Sequence, residues 1–284
     1  MSAWLLGAGA LGLETLDADS LEPLPDLATG WAELRASFDG DGAHRPEALL
    51  QAVGRELEQL GLAGERVRLL WLDAQDWADN WKAHFTPVRV GRFLIHPGWE
   101  QADQQARWSV RIDPGMAFGT GLHPSTRLCL AALDAWLGGG QSQAVLDVGC
   151  GSGVLAIAAA MAGARPVVAV DTDLEACRVT RQNAIHNGQA EFVEVHQGGP
   201  EVAAGAFDLV LANILSGMLV SLRAALVARL APGGILVLSG LLTEEADGVA
   251  DAFMHAGLRL IGSQDCDGWS ALTLAPSSAS GALV

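Results

Sequence analysis

Short apolar runs alternate with stretches of helical spacing through the second half of the chain. Runs that begin at Val145, Val167 and Phe207 each end in a polar side chain. Helix-forming segments follow them, as in Leu174–His186, where apolar positions recur with helical spacing. Strands that alternate with helices in this order predict an α/β fold around a parallel sheet.

Further elements continue the pattern toward the end of the chain. The expected helices are Met218–Leu230 and Glu244–Ala256, and the expected strands are Glu191–His196, Ile235–Ser239, Leu258–Ser263 and Trp269–Leu274. Pro232–Gly234 should stop the first of these helices. The last two strands should form a closing pair, followed by a loose tail over Pro276–Val284.

The first 72 residues predict a separate, small α+β unit. Leu11–Leu16, Trp31–Phe38 and Arg66–Leu72 have the composition of strands, and Pro46–Leu60 has apolar residues at helical spacing. This is most of a ferredoxin-like unit, without its first strand and much of its first helix. No catalytic constellation falls here, so we expect a packing or docking domain.

Residues 73–108 form a tryptophan-rich connection to the third region, 109–284. Trp77, Trp81 and Phe85 repeat every fourth residue, which predicts one face of a linking helix. Such a stripe is more often core than a ligand platform. Val88–Ile95 then reads as a single strand.

A glycine turn between Val145 and Gly153 marks the candidate ligand site. Gly149, Gly151 and Gly153 follow a strand and open a helix, where free N–H groups can meet a ligand. The spacing differs from the dinucleotide fingerprint, because Val154 occupies its third glycine position. With Asp147 before it, the turn resembles motif I of class I S-adenosylmethionine-dependent methyltransferases. The acidic side chain suits a ligand with an amine-bearing end.

Two further polar residues converge on this turn. Asp171 ends the next strand. It lies roughly 20 residues beyond the turn, the distance expected for an acid that holds ribose hydroxyls. Asn213 ends the strand that begins at Phe207. Because ligands bind at the carboxyl ends of parallel strands, we expect Asp147, Asp171 and Asn213 to share one edge of the sheet.

A glycine-rich loop, Asp113–Thr126, lies upstream of the turn. Phe118 could cover an adenine or a methionine chain, and Thr126 could hydrogen-bond the ligand's polar end. We expect Ser125 or Thr126 to cap a helix over Arg127–Leu137. For His123, local capping is a simpler reading than catalysis.

Composition narrows the class of protein. Half of the 284 residues are hydrophobic and 18% are charged, which allows a large core. The four cysteines and seven histidines have no metal-binding spacing, and no basic leader or long apolar span appears. We therefore expect a cytoplasmic protein without a metal or a membrane segment. A net charge of −16 disfavours nucleic-acid binding and favours a basic partner.

With these motifs in view, the chain resembles the PrmA family, methyltransferases of ribosomal large-subunit protein L11. The marks are the segments Asp76–Trp81, Pro114–Thr126, Val145–Ala159, Val170–Asp173 and Leu211–Leu215, and the match covers roughly Asp73 to Leu274. The resemblance implies a Rossmann-like class I methyltransferase sheet that uses S-adenosyl-L-methionine. It also implies an N-terminal substrate-docking domain and a strand before residue 1.

Transferred onto this sequence, the family's ligand positions fall on six residues. Four of these are the positions themselves, Thr126, Gly149, Asp171 and Asn213, and two lie nearby, Phe118 and Gly151. The implied activity is methylation of lysine ε-amines or the N-terminal α-amine of L11, a basic ribosomal protein, by an enzyme that we expect to be a monomer. The Asn213 carbonyl oxygen is the candidate catalytic group, since it could orient the amine. No general base stands out.

Rival functions use the same residues. A small-molecule N- or O-methyltransferase would share every cofactor position but would not need residues 1–72. A non-catalytic cofactor-binding module would tolerate loss of Asn213, which is present. The glycine spacing disfavours an NAD-dependent oxidoreductase.

Overall fold

The computed structural model divides the chain into two compact units, residues 1–78 and 79–284. It describes residues 12–16, 33–37, 51, 53–57, 86–100, 106–113, 123–137 and 143–277. In the first unit, strands β1 (Gly12–Leu16) and β2 (Glu33–Ser37) pair antiparallel, and residues 53–57 are helical. These two strands confirm the predicted ones. The ferredoxin-like arrangement stays a prediction, since the Arg66–Leu72 strand lies outside the described residues. The predicted linking helix with Trp77, Trp81 and Phe85 lies outside them as well.

A seven-stranded mixed sheet forms the centre of the second unit. Its strands are β6 (Val145–Val148), β7 (Val167–Asp171), β8 (Val193–Gln197), β9 (Phe207–Asn213), β10 (Leu230–Leu242), β11 (Leu258–Cys266) and β12 (Trp269–Pro276). Their order is β11-β12-β10-β9-β6-β7-β8, and β12 runs antiparallel to both of its neighbours. The predicted α/β class is confirmed.

Helices lie between the strands of this unit, as the periodicity predicts. They are α1 (Pro124–Trp136), α2 (Val154–Met161), α3 (Leu174–His186), α4 (Ser216–Val227) and α5 (Ala246–Met254). A short 3₁₀ turn, Thr243–Glu245, precedes α5. Among the described residues, no helix is both long and apolar enough to cross a membrane.

Alternate side chains of the central strands enter two separate layers of core. On β9, Leu209 and Leu211 join the cluster that includes α1 and α2, whereas Val210 and Ala212 join the cluster that includes α4 and α5. Successive residues of a strand point to opposite faces, so both faces of this strand are buried. This explains why the strand sequence is apolar without alternation.

The predicted single strand Val88–Ile95 is wrong, because the segment folds as a hairpin. Strands β3 (Val88–Val90) and β4 (Phe93–His96) pair antiparallel around Gly91–Arg92, and β5 (Trp108–Arg111) adds parallel to β4. The turn is anchored because the Arg92 guanidinium donates to the Asp134 carboxylate of α1 at 2.6 Å. Apolar residues of this small sheet enter the α1 and α2 core.

Two predicted boundaries also need correction. Helix α1 begins at Pro124, because His123 rather than Ser125 or Thr126 occupies the N-cap and Pro suits the first helical position. Helix α4 ends at Val227, before the predicted glycine stop. Strand β10 then starts at Leu230, and its pairing with β9 shifts register across the Pro-Gly-Gly segment.

Candidate active site

The carboxyl ends of β6, β7 and β9 meet at one edge of the sheet. From β6 the chain proceeds outward through β7 and β8, whereas β9 returns to the opposite side of β6. This reversal between β6 and β9 is the topological switch point where open α/β sheets bind ligands. The predicted convergence of Asp147, Asp171 and Asn213 at one edge is therefore what the topology produces.

Asp171 connects the glycine turn to the next helix. Its Oδ2 accepts a hydrogen bond from the Gly151 N–H at 3.0 Å, and its Oδ1 accepts one from the Asp173 N–H at 2.9 Å. Each oxygen of an ionised carboxylate has a second acceptor position. The Asp171 carboxylate is thus held in place by backbone donors and can still accept from two ligand hydroxyls.

Helix α3 supports the glycine turn from behind through residues that the sequence analysis missed. The Thr180 hydroxyl donates to the Gly151 carbonyl at 2.9 Å, and Asn183 Nδ2 donates to the Ser152 carbonyl at 2.9 Å. Cys150 Sγ lies 3.3 Å from Thr180 Oγ1, so this thiol packs on α3. The sequence did carry a signal for these contacts, because Thr180 and Asn183 are polar residues on the otherwise apolar buried face of α3.

Asp147 lies beneath the turn and is 1% exposed. Its Oδ2 accepts from the Ala156 N–H at 3.1 Å, in the first turn of α2. Burial raises the pKa of the Asp147 carboxyl to about 7, and the nearby Asp171 carboxylate adds to the shift. Asp147 therefore supports the turn from a buried position, and its carboxyl group exchanges its proton near neutral pH.

Asn213 and Thr126 are brought together from positions far apart in the sequence. Asn213 Nδ2 donates to Thr126 Oγ1 at 3.2 Å, and Thr126 is fully buried. Asn213 Oδ1 is buried and has no hydrogen-bond partner among the residues that the structure describes. A buried acceptor without a partner carries a desolvation cost. Exchanging the amide O and N would leave Nδ2 unpaired instead, so either orientation leaves one polar atom for a ligand.

His123 caps α1 at the end of the glycine-rich loop. Its Nδ1 accepts from the Ser125 N–H at 3.3 Å, and its ring contacts Trp269 edge-on, with centroids 4.5 Å apart. Burial lowers the pKa of the imidazole, which favours the neutral form that can accept this bond. The expected capping role is confirmed. Phe118 lies outside the described residues.

These groups fit a nucleoside ligand with a polar amino-acid end. A fixed carboxylate stands at the end of β7, an unpartnered amide atom stands at the end of β9, and the turn between them opens α2. Groups of this kind, at this edge of the sheet, are compatible with S-adenosylmethionine as the ligand.

Comparison with known proteins gives the same result. The profile of the family described as ribosomal protein L11 methyltransferase (PrmA) matches residues 2–276. The chain belongs to this family. Relatives named ribosomal protein L11 methyltransferase include those of Geobacter sp. (strain M21), 43% identical over 94% of this chain and 88% of theirs, and Geobacter metallireducens, 46% identical over 92% and 86%.

A solved member of the family has the same architecture. The ribosomal protein L11 methylase of Lactobacillus delbrueckii subsp. bulgaricus matches with a TM-score of 0.63 and 28% identity, over 68% of this chain and 100% of that chain. As a PrmA family member, the chain is a methyltransferase with S-adenosylmethionine as its cofactor. The small-molecule alternative is not favoured.

Proposed function

We propose that this chain methylates amines of ribosomal protein L11, at lysine ε-amines, the N-terminal α-amine, or both. The observation that carries the amine chemistry is the buried, unpartnered Asn213 Oδ1 at the end of β9. An amine N–H donor would satisfy this acceptor and be oriented by it. The relatives' shared name supports the choice of L11.

The cofactor residues have separate tasks. Bound S-adenosylmethionine supplies a methyl group already activated on a sulfonium. Asp171 would accept the ribose hydroxyls, Gly149 and Gly151 would allow close approach of the backbone, and Asp147 would support the turn from below. Phe118 and Thr126 would complete the pocket.

The substrate amine must be neutral before it can attack. A lysine side chain has a reference pKa of about 10.4, so its proton is lost before transfer. We assign that proton to solvent water, and desolvation in the pocket favours the neutral amine. Asn213 Oδ1 then accepts one N–H and directs the lone pair. Alignment of two bound groups can lower the activation free energy of a transfer step by ~7–11 kcal/mol.

Selectivity for L11 should come from residues 1–72 as a docking domain, since every protein surface carries lysines. Holding the partner on a second surface raises the effective concentration of the chosen amine. The net charge of −16 should speed encounter with a basic ribosomal protein and make it sensitive to salt. We still predict that the enzyme is cytoplasmic and monomeric and that it does not bind nucleic acid.

Purified chain, L11 and S-adenosylmethionine test the proposal directly. Mass spectrometry should find methyl groups on L11 amines, and L11 with its amines blocked should gain none. Absence of transfer to L11 would contradict the proposed substrate.

A chain that starts near Asp73 separates docking from chemistry. It should bind the cofactor normally, which also shows that it is folded, but its kcat/KM for intact L11 should fall by about 10²-fold. If it methylates L11 as fast as the full chain, the docking role is wrong.

A further inference from the structure

Ile214 lies between the two parts of the site. It directly follows Asn213 at the end of β9, and its N–H donates to the Ser239 carbonyl of β10 at 3.1 Å. Its side chain is half-buried and packs beside the core shared with α4 and α5. No step of the proposed chemistry requires a reactive group at this position.

On one side, Ile214 meets the glycine turn. A Cβ placed on Gly149 would overlap Ile214 Cγ2, so this methyl group occupies the space that a side chain at position 149 would need. Gly149 also has φ +72°, a conformation that favours glycine. The first glycine of the turn is thus in direct contact with the residue beside Asn213.

On the other side, the backbone of Ile214 rests on Gly240. A Cβ on Gly240 would lie 2.7 Å from the Ile214 oxygen and 2.9 Å from its carbonyl carbon and nitrogen. Gly240 falls where the pairing of β10 with β12 shifts register, between Leu238 and Leu241. Strand β10 therefore supports the Ile214 backbone at close range.

We propose that Ile214 is a positioning residue that sets the separation between the glycine turn and the Asn213 amide. Its backbone is fixed by Ser239 and Gly240, and a β-branched side chain has few χ1 rotamers, so Cγ2 acts as a rigid spacer against Gly149. The inference rests on the proposed function, because that separation matters when a methyl donor and an amine must align. A misplacement of about 1 Å can cost roughly 10²-fold in rate.

Three substitutions separate this spacer role from simple packing. Ile214→Val shortens the side chain but keeps both branches at Cβ. Ile214→Leu keeps the carbon number but lacks Cγ2, and Ile214→Ala lacks it as well. We expect kcat for L11 methylation to be roughly tenfold to hundredfold higher in the Val variant than in the Leu and Ala variants. Cofactor Kd should change less than kcat across the series.

A readout without the cofactor completes the test. In nuclear magnetic resonance spectra of the ligand-free full chain, the Asn213 side-chain amide pair can be assigned by its loss in Asn213→Asp. This pair should shift or broaden in the Leu and Ala variants and stay near its original position in Val. Ile235→Leu, the same exchange at a partly buried site on β10, is the matched control and should leave the pair in place.

The possible failures are distinguishable. An unmodified chain that does not methylate L11 would overturn the proposed function and this inference together. An active chain whose Val and Leu variants have equal kcat and equal Asn213 signals would overturn the positioning role alone. Rates that follow side-chain size, with Leu above Val and Val above Ala, would show packing instead. If thermal denaturation finds the Leu variant unfolded, Ala against Val supplies the same comparison.

Discussion

The two halves of the candidate active-site edge differ in how completely the chain satisfies its own polar groups. In the glycine-turn half, both Asp171 oxygens accept backbone hydrogen bonds, and Thr180 and Asn183 hold the turn's carbonyls. In the asparagine half, Asn213 bonds to Thr126 through one atom, and its other polar atom is buried without a partner in the described part of the chain.

This difference indicates which ligand completes which half. The glycine-turn half is organised by the chain itself, so we expect cofactor binding there to need little rearrangement and to have a low cost in free energy. The asparagine half carries an unpaired atom whose desolvation cost is relieved when a donor arrives. Damage to the first half should therefore appear in cofactor affinity, and damage to the second in turnover.

Asn213→Ala should have the largest effect and would break the comparison most directly. We expect kcat to fall by roughly 10²- to 10³-fold, as when one oriented hydrogen-bonding group is removed from an active site, with a much smaller change in cofactor Kd. Single-turnover methylation and titration calorimetry measure the two quantities. Asn183→Ala is the matched control and should mainly weaken cofactor binding. Near-normal turnover of Asn213→Ala would remove this residue from the catalytic role.

Asp171→Ala should show the reverse pattern. Loss of a charged acceptor that leaves ligand hydroxyls unpaired should weaken cofactor binding by ~2–3 kcal/mol. Titration calorimetry with S-adenosylmethionine measures this. Asp173→Ala serves as the control, because it removes only the cap of α3 and should cost about 1 kcal/mol of stability. Equal cofactor affinity in Asp171→Ala and the unmodified chain would rule out the ribose assignment.

Asp147→Asn tests the buried carboxyl beneath the turn. Because the folded-state pKa of about 7 exceeds the ordinary value of 3.8, the folded chain binds more protons, and this group lowers stability as pH rises between those values. The Asn variant should lose this dependence. Its free energy of unfolding, relative to that of the unmodified chain, should therefore rise by roughly 2 kcal/mol from about pH 5 to about pH 8. Urea unfolding at both pH values measures the difference. Parallel stability curves would show that Asp147 does not titrate in this range.

Thr126→Val should give the smallest effect and would sharpen the comparison within the asparagine half. Removal of the acceptor for Asn213 Nδ2 should free the amide to rotate and lower kcat by about fivefold, equivalent to ~1 kcal/mol. Steady-state kinetics on L11 can resolve this change. Thr126→Ser retains the hydroxyl and should recover most of the lost turnover. If Ser and Val behave alike, the hydrogen bond does not orient Asn213.

The local sequence alone was enough to predict most strands of the seven-stranded sheet, the glycine turn and the acids at the strand ends. Val167–Asp171 and Leu174–His186 form the predicted strand and helix. Apolar runs that end in Asp or Asn predict where ligands bind, because parallel strands place their carboxyl ends together. The family motifs predict the remaining ligand positions in the same way, since they too are contiguous in sequence.

Only the tertiary structure decided which distant residues meet. The Thr126–Asn213 bond joins α1 to β9, and Thr180 and Asn183 reach the turn from α3. The hairpin at Gly91 is joined to α1 by the Arg92–Asp134 contact, which no local pattern encodes. Ile214 meets Gly149, in the turn after β6, and Gly240, on β10, which are far apart in the sequence. Periodicity reports which face of an element is buried, but contacts between elements follow from packing in three dimensions.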